Sequence, residues 1–250
     1  MRRCIQLSSH VYLLGSGEIG LSEEHDAHIY LVEAKTCCFL IDAGTGIDSQ
    51  GLLENIAGCI SPEKPISHLL ITHCHADHAG GAANLRRELS LRIGAGIETA
   101  QRISSGDDRL LALDVARREG VYPENYRFQS AVVDEVYADG YRFELGGLQV
   151  MACFTPGHSS DSVCYLVQLK EGAALFCGDT LFANGQLPLL NTFDSDLAAY
   201  RVSLSRLNEL AFDLLFPGHG LFLVSEAHRL VETILLRLER SFFLPPVLSA

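Results

Sequence analysis

The sequence predicts an α/β protein in which two β-sheets face each other and helices cover the outer faces. Three observations lead there. Strand-like runs followed by helical patterns occur twice, on either side of residues 98–130, and each half has an apolar sheet face to bury. The chain has 250 residues and is 48% hydrophobic, enough for one sizeable core and too apolar for a disordered chain. Several apolar runs end in a small-residue turn followed at once by His or Asp, which collects ligand-type side chains at one sheet edge.

In chain order, Val11 to Leu14, Ile29 to Ala34 and Cys37 to Asp42 are apolar, partly β-branched strands, the last two joined tightly through Ala34, Lys35 and Thr36. Asp48 caps a helix to about Ile60, ended by Ser61-Pro62. Ser67 to Thr72 is a strand, Gly80 to Leu89 a helix and Leu91 to Ile93 a short strand. Residues 98–130 are more charged and carry Leu110, Leu111, Leu113 and Val115 in a helical pattern, so they read as a helical insertion or lid in a single domain of residues 1–250. Strands return at Val132 to Tyr137, Tyr141 to Leu145, Leu148 to Phe154, Val163 to Leu169 and Ala173 to Cys177, with Asp139-Gly140 and Gly146-Gly147 as hairpin turn signals. Ser195 caps a helix to about Leu210, Asp213 to Phe216 is a last inner strand, and a helix runs from about Ser225 to Arg240.

Composition narrows the function. With 19 Lys and Arg against 31 Asp and Glu, the net charge of −12 weighs against nucleic acid, whose phosphates need clustered cations. Met1-Arg2-Arg3 resembles the start of a signal peptide, but Gln6, Ser8, Ser9 and His10 interrupt the apolar region that should follow. No apolar run approaches membrane-spanning length. None of the eight cysteines forms a C-x-x-C pair and most lie in strand-like runs, which predicts buried free thiols in a reducing cytoplasm. The expected partner is a small-molecule substrate, with no nucleic acid and no membrane; the oligomeric state is not legible.

The chemistry concentrates in Thr72-His73-Cys74-His75-Ala76-Asp77-His78, which sets four metal-ligand side chains within six residues where a strand ends. Strand alternation sends His73 and His75 the same way and Cys74 the other, while the turn re-aims Asp77 and His78. Three further segments pair a strand end with a ligand: Thr155-Pro156-Gly157-His158, Cys177-Gly178-Asp179 and Pro217-Gly218-His219. Asp42 stands in the same context. Imidazole and carboxylate suit Zn²⁺, and also Fe or Mn. Two such cations hold a water, lower its pKa and polarise the bond to be cut, with Asp77 placed to orient it. Acid should weaken this chemistry, because histidine binds metal only when neutral. His25, Asp26 and His28 read as solvated loop residues, and Tyr122 and Tyr126 as tyrosines at a core edge or under a lid.

These segments, in this order and over nearly the whole chain, resemble the metallo-β-lactamase superfamily. The resemblance implies an αββα four-layer sandwich, two mixed sheets flanked by helices, with the metal site on one edge. It implies that His73, His75 and His158 hold one divalent cation, that Asp77, His78 and His219 hold a second, and that Asp179 bridges them. Asp42 would support the metal loop. The glutathione-thioester hydrolases, persulfide dioxygenases and acyl-homoserine lactonases of the superfamily carry marker residues after the bridging Asp. Here that place reads Phe182-Ala183-Asn184-Gly185-Gln186 and matches none of them. The expectation is a cytoplasmic dinuclear metallohydrolase cutting an ester, thioester or lactone bond, with Asp77 and Asp179 as its catalytic carboxylates. The alternatives are a non-haem iron oxidoreductase acting on a thiol or persulfide, and a non-catalytic ligand-sensing member.

Overall fold

A computed structural model describes residues 4–60 and 64–240. The expected end of the first helix at Ser61-Pro62 and the start at Met1-Arg2-Arg3 lie outside the described residues. The first sheet has seven strands in chain order: β1 (Ile5–Gln6), β2 (Val11–Gly15), β3 (Ile29–Glu33), β4 (Cys38–Ile41), β5 (Ile66–Ile71), β6 (Arg92–Gly96) and β7 (Glu135–Tyr137). Its first four strands are antiparallel and β4 to β7 are parallel. The second sheet contains β8 (Arg142–Leu145), β9 (Leu148–Phe154), β10 (Val163–Leu169), β11 (Gly172–Gly178) and β12 (Leu214–Pro217), in the order β12-β11-β10-β9-β8. The β11–β12 pair is parallel and the others antiparallel.

The period of two along the strands builds the layers. Tyr30 and Val32 of β3 and Phe39 and Ile41 of β4 point between the sheets, where they meet Val163, Tyr165 and Val167 of β10. Ile29, Leu31, Cys38 and Leu40 point the other way, toward α1 (Ser49–Cys59) and α3 (Ala82–Leu89). Cys164 and Leu166 leave the second sheet outward, against α6 (Leu197–Leu207) and α7 (His228–Arg240). Both faces of both sheets are therefore covered, which is the αββα sandwich.

The structure departs from the sequence reading in a few places. Asp139-Gly140 turns the chain from β7 into β8, which belongs to the other sheet, so it is a crossover and no hairpin. Gly146-Gly147 does join the paired β8 and β9. Asp196, not Ser195, caps α6, accepting from the backbone N–H of Ala198 and Ala199. The helix expected from Gly80 to Leu89 starts two residues later as α3, and a separate short helix, α2 (Ala76–Ala79), precedes it; between them Gly80 and Gly81 pass so close to the backbone carbonyls of Thr45 and Ala43 that a Cβ at either would collide. Cys4 and Cys59 form a disulfide that ties the chain before β1 to the end of α1. The expectation of free thiols fails for that pair; Cys37, Cys38, Cys74, Cys153, Cys164 and Cys177 are free and buried. Residues 98–130 contain most of α4 (Ile97–Ser105) and all of α5 (Leu113–Arg118). Among the described residues no helix is long and apolar enough to cross a membrane.

Candidate metal centre

Four strand ends meet at one edge of the sandwich. His73 and His75 follow β5, His158 follows β9, Asp179 follows β11 and His219 follows β12, while Asp77 and His78 ride on α2. All seven of these residues come together there. His73 Nε2 and His158 Nε2 each lie 3.0 Å from His75 Nδ1. His219 Nε2 lies 3.1 Å from Asp77 Oδ2, and His78 Nε2 lies 3.5 Å from the same oxygen. Asp179 stands between the two groups: Oδ1 is 3.3 Å from His78 Nε2, and Oδ2 is 3.5 Å from His158 Nε2 and 3.7 Å from His219 Nε2. Glycine at 218 is a condition of this packing, since a Cβ there would collide with Asp179 Oδ1 and the His78 ring.

The surrounding hydrogen bonds set which nitrogen of each ring faces the cluster. The His158 Nδ1–H donates to the Pro188 carbonyl at 2.7 Å, leaving Nε2 as a lone pair. The Thr72 hydroxyl donates to Asp42 at 2.8 Å and so accepts from His73 Nδ1, 3.1 Å away. The His78 Nδ1–H donates to Asp42 Oδ2 at 2.8 Å. Asp42 also accepts the backbone N–H of Thr72 at 2.8 Å, tying the two ligand segments together. It does so from the left-handed region, at φ 61°, an uncommon conformation for a residue with a Cβ.

This geometry tests whether a cation fits. Three nitrogens, two of them committed lone pairs, converge at 3.0 Å, and a single proton on His75 satisfies only one of those contacts. One cation satisfies all three. Ligands at roughly 2.0–2.1 Å around a tetrahedral Zn²⁺ would stand about 3.3 Å apart, within the spread seen here. On the other side, the buried atoms His78 Nε2 and Asp179 Oδ1 face each other at 3.3 Å and neither has a hydrogen-bond partner among the described residues. The donor set therefore fits divalent metal on both sides.

The electrostatics of the two sides differ. Burial, reinforced by the neighbouring imidazoles, holds His73 well below the ordinary histidine range. Burial lowers His75 and brings His158 down to about 4. Burial also disfavours charge on His78 and His219, but carboxylates outweigh it: Asp77, Asp179 and Asp42 hold His78 well above its usual value, and Asp179, Asp77 and Glu18 raise His219 to about 10. Asp77 and Asp179 are likewise pushed up by burial and pulled far down by His78 and His219.

Tyr122 stands at the cleft edge, one of the two places the sequence reading allowed it, while its bond to Asp77 and several other contributors escape that reading. Tyr122, after α5, donates its hydroxyl to Asp77 Oδ1 at 3.1 Å. Glu18 lies 3.4 Å from His219 Nδ1 and accepts the Gly220 N–H at 3.0 Å. Asp161 accepts the backbone N–H of Cys74, between the two ligand histidines, at 2.9 Å. Arg102 pairs with Asp161 at 3.4 Å and Asp194 at 2.6 Å. Asp26 and His28, expected in solvent, are buried and brace neighbouring loops: Asp26 accepts from Thr45, and His28 donates to the Gly220 carbonyl at 2.8 Å. Only the Asp161 position carried a local hint, the polar run Ser159-Ser160-Asp161-Ser162 directly after His158. Cys74 is fully buried beside Asp161, which suits packing. Tyr126 donates to the Thr45 carbonyl at 2.9 Å, a structural bond.

Residues 23–219 match the sequence profile of the metallo-beta-lactamase superfamily, and the chain belongs to that superfamily. Among curated proteins it is similar to an atrochrysone carboxyl ACP thioesterase of Aspergillus fumigatus, 29% identical over 86% of this chain and 57% of that protein. It is also 30% identical to the lactamase-like protein nscB of Neosartorya fischeri, over 91% of this chain and 58% of that one. The chain thus spans a little over half the length of these relatives. Among solved structures, BJP-1, a subclass B3 metallo-beta-lactamase of Bradyrhizobium japonicum, superposes with a TM-score of 0.72 at 22% identity, over 96% of this chain and 92% of that one. That likeness establishes the fold.

Proposed function

We propose that this chain is a metal-dependent hydrolase that holds two divalent cations, Zn²⁺ before Fe or Mn, and cleaves an ester, thioester or lactone bond of a small molecule. The observation that carries the reading is the convergence of seven donor side chains at the end of a cleft of about 550 Å³. His73, His75 and His158 would hold one cation, Asp77, His78 and His219 the other, and Asp179 would bridge. Bound there, the cations would lower the pKa of water and polarise the oxygen of the scissile bond. The chain's own residues do the rest. Asp77 and Asp179 stay ionised and accept hydrogen bonds from water, orienting it toward the cleft. Tyr122 holds Asp77 from the cleft wall, and the buried Asp42 holds His78 through its Nδ1–H. In hydrolysis the water oxygen joins the acyl carbon, the bond to oxygen or sulfur breaks, and the alcohol or thiol leaves with a proton. The name of the similar Aspergillus fumigatus protein supports including thioesters among the bonds cut.

Elemental analysis coupled to chelation tests this. The expected result is about two metals per chain, loss of esterase and thioesterase activity on removal, and recovery on adding Zn²⁺ back. Activity that persists without metal contradicts the mechanism. Bound iron with oxygen uptake replaces it with oxidative chemistry.

A further inference from the structure

We propose that the acyl part of the substrate is an uncharged, apolar group, held in the cleft that runs out from the donor cluster. The proposal rests on the hydrolase reading and adds what the protein grips beside the bond. The cleft has His75, Asp77, His158, Asp179 and His219 at one end. The rest of the lining is largely apolar and includes Leu113, Val115 and Ala116 of α5 together with Phe182, Leu189 and Leu190. A volume of about 550 Å³ is within the range of sites that take drug-sized ligands.

The charges on the walls decide the rest. The remaining carboxylates of the lining are Glu18, beside His219, and Glu119, Tyr122 adds a hydroxyl donated to Asp77, and no lysine or arginine lines the cleft among the described residues. The arginines of α5 are engaged elsewhere: Arg117 with Asp108 and the Tyr126 carbonyl, Arg118 with Asp114. Outside the donor cluster, a carboxylate on the acyl group would meet apolar or acidic wall and the neutral Asn191 and Thr192, with no lysine or arginine in the lining to receive it. An alkyl or aryl acyl group would instead gain about fourfold in binding for each methylene buried. Hydrolysis of such a thioester breaks the acyl C–S bond, forms the C–O bond of the acid and hands a proton of water to the thiol.

The test uses the full zinc-loaded chain on 4-nitrophenyl esters from acetyl to octanoyl, and on the hexanoyl and adipoyl thioesters of N-acetylcysteamine. The expected result is a kcat/KM that climbs about three- to fourfold per methylene, and an adipoyl thioester at least tenfold poorer than the hexanoyl one. Ala116→Phe should move the optimum to a shorter chain. Val121→Lys, at the 44% exposed rim, should narrow the gap between adipoyl and hexanoyl. A flat chain-length series, or an adipoyl substrate as good as hexanoyl, overturns the proposal while metal-dependent cleavage of the acetyl ester keeps the hydrolase reading. If no ester or thioester is cut, the hydrolase reading fails. Calorimetry of octanamide and butanamide on the metal-free protein then still decides the pocket: tighter octanamide supports it, and equal affinities overturn it.

Discussion

The two sides of the donor cluster share one cleft and are held in opposite ways. His73, His75 and His158 are buried imidazoles whose burial outweighs the nearby carboxylates, so they stay neutral and present lone pairs. His78 is as deeply set and His219 is partly exposed, but Asp77, Asp179, Asp42 and Glu18 reverse the effect of burial and keep both charged in the metal-free protein. The comparison teaches that one side is ready for a cation at neutral pH, while on the other side protons occupy the place a cation would take. Loading the first should cost few protons, and loading the second should expel them.

The largest effect is expected where the two sides join. Asp179→Asn removes the charge between His78, His158 and His219 and should lower activity by more than the ~100-fold that an outer-shell change costs, with loss of metal measured by elemental analysis. Asp42→Asn acts on one side directly, through His78 Nδ1, and on the other only through the Thr72 hydroxyl that accepts from His73 Nδ1. It should weaken the second metal by about 10- to 100-fold and the first by less, a difference that competition with a graded chelator resolves.

Stability against pH separates the sides by sign. In the metal-free protein His158 titrates near 4 instead of its unfolded value near 6.5. Between those values the unfolded chain binds a proton the native one refuses, so stability falls as pH drops from 6.5 toward 4. His219 does the reverse: its contribution is full below 6.5 and is lost as pH rises through about 10. Melting temperatures across pH should therefore show a shallower acid arm in His158→Gln and a shallower alkaline arm in His219→Gln. Identical profiles would mean the two sides are electrostatically alike. The smallest effect belongs to Tyr122→Phe, which deletes one hydrogen bond to Asp77. A loss of roughly tenfold in kcat is expected, with metal content and KM for the acetyl ester little changed.

What the sequence made legible follows from how local each signal is. Period-two alternation wrote the two-faced strands openly, as in Ile29 to Val32, whose successive residues fill two different cores. The ligand segments were legible for the same reason, each being a strand end, a small-residue turn and a donor in consecutive positions. Asp139-Gly140 announced a reversal without saying which sheet would receive the next strand. Cys4 and Cys59, 55 residues apart, become neighbours only once β1 and α1 are packed. Tyr122 reaches Asp77 across 45 residues, and Arg102 reaches Asp194 across 92. Nothing beside either residue announces such a contact.

On this reading the chain holds two cation sites of unequal electrostatic character. Calorimetric titration of the metal-free protein with Zn²⁺ near neutral pH, repeated in buffers of different ionisation enthalpy, tests it most directly. Two binding events per chain are expected, the one assigned to Asp77, His78 and His219 releasing more protons than the one assigned to His73, His75 and His158, and the proton-rich event altered more than the other by Asp42→Asn. A single event, or two events with equal proton release and equal response to Asp42→Asn, would contradict it.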